Sequence, residues 1–120
     1  MTTSKSAQNH KINYIEFVST DIQRSKRFYS AVFGWSFEDW GPDYISFTAP
    51  GAGIDGGFRS GEAPVGSPLV VLYATDLAAT EQAILAEGGA ITVATYSFPG
   101  GRRFHFADPC GNILGVWSAD

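Results

Sequence analysis

The chain repeats itself, and this repeat constrains its fold more than any other feature of the sequence. Residues 12–22 (INYIEFVSTDI) and residues 67–77 (SPLVVLYATDL) are both apolar, strand-like runs that end in Thr-Asp followed by Ile or Leu. Asp76 follows Asp21 by 55 positions, and similar segments follow both residues. Self-similarity at a fixed spacing predicts one supersecondary unit used twice.

Each strand-like run leads into a segment with the pattern of a helix. Asp21 and Asp76 are suitable N-caps, because a carboxylate can accept the free N–H groups of a first helical turn. A stripe at helical spacing follows each cap, and a glycine ends it. The stripes are Ile22, Ser25, Tyr29, Val32 and Phe33 before Gly34, and Leu77, Thr80, Ile84 and Leu85 before Gly88.

Three short extended runs follow each predicted helix. They are rich in aromatic and β-branched residues, as strands are, and Gly and Pro separate them at the turns 49–51, 98–101 and 108–111. The predicted strands are 35–40, 43–48 and 54–59, then 91–97, 102–107 and 112–117. Each half is therefore a βαβββ module, and we expect one compact α+β domain. It consists of a polar leader (1–11), a first module (12–60), a Gly- and Pro-rich linker (61–68) and a second module (69–120).

Composition excludes several classes of partner. The formal net charge is −4, whereas phosphate binding needs a basic surface, so we expect no nucleic acid partner. The pair Arg102-Arg103 is interpreted as a solvated turn rather than an anion site. The single cysteine, Cys110, suits a reducing compartment and has no neighbouring His or Lys to activate it. The leader has no apolar core and no run approaches the roughly 20 apolar residues of a membrane span, so we predict a cytoplasmic protein without a membrane partner.

Two stretches of the sequence resemble a known family. The segments STDIQRSKRFYSAVFGW (19–35) and FADPCGNILGVW (106–117) are similar to the first βα segment and the closing turn and strand of the vicinal oxygen chelate superfamily. That superfamily includes glyoxalase I, bleomycin resistance proteins and extradiol dioxygenases. The likeness extends over about residues 12–118 and is greatest to small glyoxalase-related proteins. It implies paired βαβββ modules, eight strands that curl into a cup, and a homodimer.

The resemblance also implies where a metal would be bound. Metal-containing members place a His, Glu or Gln ligand in the first and last strands of each module. In this chain those positions fall on residues that are not of these types, namely Tyr14, Leu69 or Val70, Gly56 or Gly57, and Gly115. Neutral tyrosine is a poor ligand, and the others carry no donor side chain. We therefore predict no cofactor, with a divalent metal possible only at a non-standard site.

Strand alternation predicts which side chains face the cup. Successive residues of a strand point to opposite faces. Ile15, Phe17, Val70 and Leu72 are expected against the helices. The residues expected toward the cup are Tyr14, Glu16, Val18, Leu69, Val71 and Tyr73.

Two polar residues are candidates for catalysis. Glu16 is expected among apolar groups, where burial would favour its protonated form and suit a general base or acid, although a structural carboxylate is the favoured alternative. His105 lies between Phe104 and Phe106 and is expected on the other face together with Arg103. It is a candidate partner of Glu16, with a structural role as the alternative.

These observations support two hypotheses of function. The first is a metal-free protein that binds a small organic molecule in an aromatic cup. The second is a glyoxalase-related lyase, isomerase or dioxygenase that uses a displaced metal or Glu16 as its base. The residues predicted to contact the ligand are Tyr14, Glu16, Trp40, Phe58, Tyr73 and Trp117.

Overall fold

The computed structural model describes Asn9 and residues 12–119. Its elements follow the predicted order twice. The first module contains β1 (Tyr14–Ser19), α1 (Ile22–Phe33), β2 (Phe37–Asp39), β3 (Tyr44–Phe47), α2 (Ala49–Ala52) and β4 (Asp55–Ser60). The second contains β5 (Val70–Tyr73), α3 (Leu77–Ala86), β6 (Ala90–Phe98), β7 (Gly101–Ala107) and β8 (Ile113–Ser118). The prediction of paired βαβββ modules in an α+β fold is confirmed, while the predicted leader, apart from Asn9, lies outside the described residues.

The eight strands form two four-stranded sheets of the same topology. Their orders are β1-β4-β3-β2 and β5-β8-β7-β6. In each sheet the first strand pairs in parallel with the last, and the remaining pairs are antiparallel. Strands β1 and β5 each lie at an edge of their own sheet. They border one another, because Ile15 and Phe17 of β1 and Val70 of β5 together line the cavities between the modules.

The helix ends follow the predicted chemistry. The carboxylate of Asp21 accepts the N–H of Arg24 at 3.2 Å, and that of Asp76 accepts the N–H of Ala79 at 3.0 Å. Gly34 and Gly88, which follow the helices, have φ angles of 73° and 91°, a left-handed conformation that other residues rarely adopt. The predicted caps and stops are confirmed.

One prediction about the loops of the first module is wrong. The predicted turn at 49–51 is a single helical turn, α2, whose first N–H donates to the carboxylate of Asp55 at 2.8 Å. Gly56 and Gly57 lie in an unbroken ladder between β1 and β3. Their small size makes room, because a Cβ at either position would collide with a ring from β3. The irregular strand is β6, whose register shifts on both sides of Val93.

The core joins the two modules. The rings of Phe28 and Phe33 on α1 lie 6.1 and 6.0 Å from that of Phe106 on β7. Phe28 is buried although it was not part of the predicted stripe, whereas Leu85, which was, is 45% exposed. Helix α1 thus packs on both sheets, and the helices cover one face of each sheet. No helix in the described part of the chain is long and apolar enough to cross a membrane.

Candidate ligand-binding face

The second module presents a row of large side chains on the face that its helix does not cover. Tyr96, Arg103, Trp117 and Tyr73 are register partners across β6, β7, β8 and β5, so one residue from each strand contributes. We call this set the aromatic row. The neighbours Phe104 and Phe106 are fully buried on the opposite face, as the alternation of β7 predicted.

Contacts within the aromatic row hold its members in place. The Trp117 and Tyr73 rings meet edge to face, with 5.0 Å between their centroids. The Arg103 guanidinium lies 5.6 Å from the Tyr96 ring centroid, and its Nε donates to the Tyr96 hydroxyl. These are the geometries that aromatic pairs and cation–π pairs favour. The row is therefore a fixed aromatic surface with one embedded cation.

The next row contains a depression. Val93, His105, Gly115 and Val71 are register partners across the same four strands. A Cβ placed on Gly115 would lie 3.4 Å from Val71 and 3.5 Å from His105 and Leu69, which are ordinary contact distances. A Cβ would therefore fit at Gly115, which is itself buried, with an imidazole on one side and aliphatic groups on the other.

The equivalent position in the first module is filled. Gly57 pairs with Glu16, as Gly115 pairs with Val71. A Cβ on Gly57 would lie only 2.5 Å from the hydroxyl and 2.7 Å from a ring carbon of Tyr44. The Tyr44 side chain thus covers Gly57, so the depression is open in the second module and closed in the first.

Glu16 belongs to the cluster that positions Tyr44. Its carboxylate accepts the Tyr44 hydroxyl at 3.0 Å and lies 3.5 Å from Nε of Arg59, while the hydroxyls of Tyr44 and Tyr14 are 2.5 Å apart. Burial and the hydrogen bonds with Tyr14 and Glu16 raise the pKa of Tyr44, so its hydroxyl stays protonated at neutral pH. The Glu16 side chain is 41% exposed. The expectation that it is buried among apolar groups is wrong, because Glu16 lies on the edge strand β1 and its carboxylate faces the polar groups of Tyr44 and Arg59.

His105 lies where the sequence placed it but does not contact Glu16. Its Nε2 lies 3.5 Å from the hydroxyl of Tyr96, and no hydrogen bond joins it to Glu16 among the described residues. Burial and the positive charge of Arg103 lower the pKa of His105 below 6.5, so the ring is neutral at pH 7. The structure therefore separates the two candidate catalytic residues into different clusters.

The predicted ligand contacts divide between the faces. Trp40 is 42% exposed and donates from Nε1 to Ser46 at 2.8 Å, above the uncovered face of the first module. Tyr73 is 55% exposed, and Trp117 is half-buried beside it. Phe58 is fully buried, with its ring 5.1 Å from that of Phe17. The strand position of Phe58 points its side chain toward α1, where its ring lies 5.1 Å from that of Tyr29, so it lies apart from the other predicted ligand contacts.

The family's metal ligands do not fit onto this chain. Tyr14 is hydrogen-bonded to Tyr44, Gly57 lies beneath Tyr44, Leu69 is aliphatic and Gly115 is the depression. Within residues 12–119 no three His, Cys, Asp or Glu side chains gather as they would around an ion. A divalent ion usually takes at least three such protein donors, so the described side chains do not offer the expected set.

A cavity of about 550 Å³ lies between the modules. Glu16 and Val18 line it from the first module, Leu69 and Ile113 from the second, and residues 63–68 of the linker close one side. Leu69 also borders the Gly115 depression, so the cavity and the depression adjoin. Its volume is in the range of small-molecule pockets. A second cavity, of about 560 Å³, lies beside α2 and the helix-facing side chains of β1.

Sequence reasoning identified Tyr73 and Trp117 of the aromatic row as ligand contacts but did not identify Arg103 or Tyr96. Arg103 was interpreted as part of a solvated turn, but Arg102 and Arg103 both lie in β7. The alternation around His105 did place Arg103 on the uncovered face. Tyr96 could not be paired with it, because the two register shifts in β6 have no sequence signal.

The paired βαβββ modules, each with one face left free by its helix, define a class of two-module cup proteins. The chain belongs to the Glyoxalase/Bleomycin resistance protein/Dioxygenase superfamily, whose family model matches residues 11–116. The resemblance drawn from residues 19–35 and 106–117 is thus confirmed.

Relatives and solved structures agree with this assignment. The chain is 24% identical over 120 residues to the Mycobacterium bovis protein named “Putative glyoxylase CFP32”, a match that covers 90% of this chain and 45% of that one. It thus spans slightly less than half the length of that relative. A crystal structure of a glyoxalase/bleomycin resistance protein/dioxygenase family enzyme from Burkholderia phytofirmans PsJN superposes with a TM-score of 0.77 at 16% identity, covering 90% of this chain and 98% of that one. A glyoxalase-related enzyme from Fulvimarina pelagi gives 0.76 at 22% identity, with 91% and 88% covered.

Proposed function

We propose that this protein binds a small organic molecule on the uncovered face of its second module, without a metal at the family's standard positions. The observation that carries the proposal is the open depression at Gly115, next to the aromatic row and to a cavity of about 550 Å³. Rigid aromatic surfaces around a concave site are typical of small-molecule pockets. Ligand contacts are assigned to Tyr73 and Trp117, with Glu16 across the cavity.

Catalysis by a lyase, isomerase or dioxygenase mechanism is the weaker hypothesis. A general base needs a carboxylate oxygen available to the substrate proton. The oxygens of Glu16 already face the hydroxyl of Tyr44 and the guanidinium of Arg59. We assign Glu16 to holding Tyr44 over Gly57 rather than to proton transfer. The homodimer and the cytoplasmic location stay predictions of the sequence.

Binding is tested with Prodan, a neutral fluorescent naphthalene probe. We expect a saturable emission increase with one site per chain. Gly115→Leu should weaken the probe's Kd by about tenfold or more, because the new side chain fills the depression and removes roughly 1.4 kcal/mol or more of contact. Gly115→Ala should have a smaller effect, since its Cβ meets only ordinary contacts.

The matched control is Leu85→Ser, which changes an exposed apolar residue on α3, away from this face. It should leave the probe's Kd unchanged. Equal affinity in wild type and Gly115→Leu would place the site elsewhere.

The metal-free half of the proposal is tested by metal content. It is measured on protein purified without chelators and again after titration with Ni²⁺, Zn²⁺, Mn²⁺ and Fe²⁺. One tightly held ion per chain would overturn this half of the proposal.

A further inference from the structure

The geometry points to a planar aromatic anion, such as an aryl carboxylate, as the class of molecule bound on the second module, with its anionic group on Arg103 and its ring over Gly115. This inference rests on the proposed function and specifies its ligand. Three features of the uncovered face support it: an unpaired cation, the spacing between that cation and the depression, and the chemistry of the walls.

Arg103 is the cation without a carboxylate partner on this face. Among the described residues the ion pairs are Lys26 with Asp39 and Arg59 with Glu16. The Nε–H of Arg103 donates a hydrogen bond to the hydroxyl of Tyr96, and the guanidinium lies 5.6 Å from the centroid of that ring. A guanidinium has five N–H donors in a planar fork. The terminal donors of Arg103 are therefore held in a fixed orientation and remain for a ligand.

The spacing between Arg103 and the depression suits a short, flat molecule. Gly115 lies one strand across from Arg103 and two residues along β8 from Trp117, the direct partner of Arg103. The strand positions of diagonal neighbours of this kind are roughly 7–8 Å apart, and the guanidinium of Arg103 lies farther from Gly115 than this, because it contacts Tyr96 on the β6 side. A carboxylate attached directly to two fused rings is long enough to extend from that guanidinium past Trp117 toward the space left by Gly115.

In the described part of the chain, the strand side chains around Arg103 and the Gly115 depression are aromatic or aliphatic and include no acid. They are Tyr73, Val71, Trp117, Tyr96, Val93 and Ile113. His105, beside the depression, is neutral at pH 7 and can give a hydrogen bond without adding charge. Flat apolar groups bind well to such walls. Among the residues that the structure describes, an anion placed here meets one cation and no strand carboxylate on this face, while Glu16 lies across the cavity in the first module.

The test uses three naphthalenes of similar size whose substituents are anionic, neutral and cationic: 2-naphthoate, 2-naphthamide and 2-naphthylmethylammonium. Their affinities for the full chain are measured by calorimetry at pH 7. We expect the naphthoate to bind about tenfold or more tightly than the amide, since charge-assisted hydrogen bonds are the stronger kind. The ammonium compound should bind most weakly. Arg103→Gln should remove the preference for the acid, and Arg103→Lys should keep part of it because the charge remains.

The matched control is Arg102→Gln, which removes the same charge from the opposite face of β7. It should retain the preference for the acid, and melting temperatures check that each variant is folded. Equal binding of acid and amide by the wild type would overturn the ligand class, while Prodan binding that responds to Gly115→Leu would still uphold the proposed function. The sedimentation coefficient supplies another contrary outcome. If Arg103→Gln dissociates a dimer and the naphthoate does not bind, a second copy of the chain covers this face and the inference is wrong.

Discussion

Single residues in the closing turn hold the two modules together. Asp108 is buried and accepts the hydroxyl of Tyr29 at 2.9 Å, the side-chain amide of Asn112 at 3.0 Å and two backbone N–H groups of its own turn. The same Asn112 amide donates to the carbonyl of Val18 at 2.7 Å. A buried carboxylate is tolerated when its oxygens are satisfied in this way. The Asp108-Pro109 turn therefore ties β8 to α1 and β1 of the other module.

Substitution of Tyr29 by Phe tests this network and its pH dependence. We expect a loss of about 1–2 kcal/mol in unfolding free energy at pH 7, because the buried Asp108 loses one of its donors. Burial and the neighbouring Asp108 raise the pKa of Tyr29 well above its usual value of 10.0. The hydroxyl therefore adds stability below pH 10 that is lost as the pH rises further, since the unfolded chain then releases a proton that the folded chain keeps. Urea unfolding from pH 7 to 11 should show the two stabilities converge above pH 10, and a constant difference would contradict this.

Cys110 shows how a neighbourhood escapes sequence reasoning. No activating residue adjoins it along the chain, yet the hydroxyls of Ser19 and Ser25 lie 3.4 and 3.6 Å from its sulfur. Burial raises the pKa of the thiol, but the hydrogen bonds from Ser19, Thr20 and Ser25 outweigh it, so that the pKa is lowered. The polar neighbours come from the first module, about 90 residues away in sequence.

Among the elements, the two helices are equivalent in sequence but not in packing. Helix α1 buries Ile22, Ser25, Phe28 and Tyr29, whereas α3 buries only Leu77 and Ile84. Helix α3 therefore has fewer tertiary contacts to stabilise it, and its ends matter more. The same difference explains why the predicted stripe of α1 was nearly complete while Leu85 of α3 proved exposed.

Removal of the α3 cap by Asp76→Ala should cost about 1 kcal/mol of unfolding free energy, because the N–H of Ala79 loses its carboxylate acceptor. Asp76→Asn is the matched variant, since its amide oxygen can still accept, and it should retain most of the stability. Guanidinium unfolding monitored by circular dichroism measures both. An equal loss in the two variants would assign the effect to charge rather than to capping.

On the scale of the whole molecule, we expect the modules to unfold as one cooperative unit. Phe28, Phe33 and Phe106 pack across the junction, and the bonds of Asp108 and Asn112 cross it as well. An interface that contains part of the main core couples the unfolding of its two sides. The separate hydrogen-bonded sheets are therefore not separate folding units.

Truncation of Phe106 to Ala is expected to cost about 3–5 kcal/mol, since the residue is fully buried and its ring leaves a cavity at the junction. Tryptophan fluorescence reports on both modules, through Trp35 and Trp40 in the first and Trp117 in the second. Native-state hydrogen exchange then follows each module residue by residue. Both modules of the variant should lose protection together at the same denaturant concentration. Two separate transitions would contradict a single cooperative unit. The control variant is Phe98→Ala, at the half-buried end of β6, which should lower the unfolding free energy by less than Phe106→Ala does.

The sequence determined the elements and most of their faces. Local patterns predicted four features: the Asp caps, the stop glycines, the order of the elements along the chain, and the helix-facing side of β1, β5 and β7. They could do so because capping, left-handed conformations and alternation depend on a few adjacent residues. Local signals also gave the family, through residues 19–35 and 106–117.

What only the tertiary structure decided is which of two equivalent glycines is covered. Gly57 and Gly115 hold matching positions in the two modules, but Tyr44 fills the first and leaves the second open. The aromatic row likewise needs the register of four strands, two of which are shifted against each other by bulges. Sequence patterns fix the face on which a side chain lies, but its neighbours across strands depend on register and on the volume that distant side chains occupy. For that reason the repeat predicted a two-module cup, and the packing of Tyr44 decided which of its two equivalent glycine positions is filled.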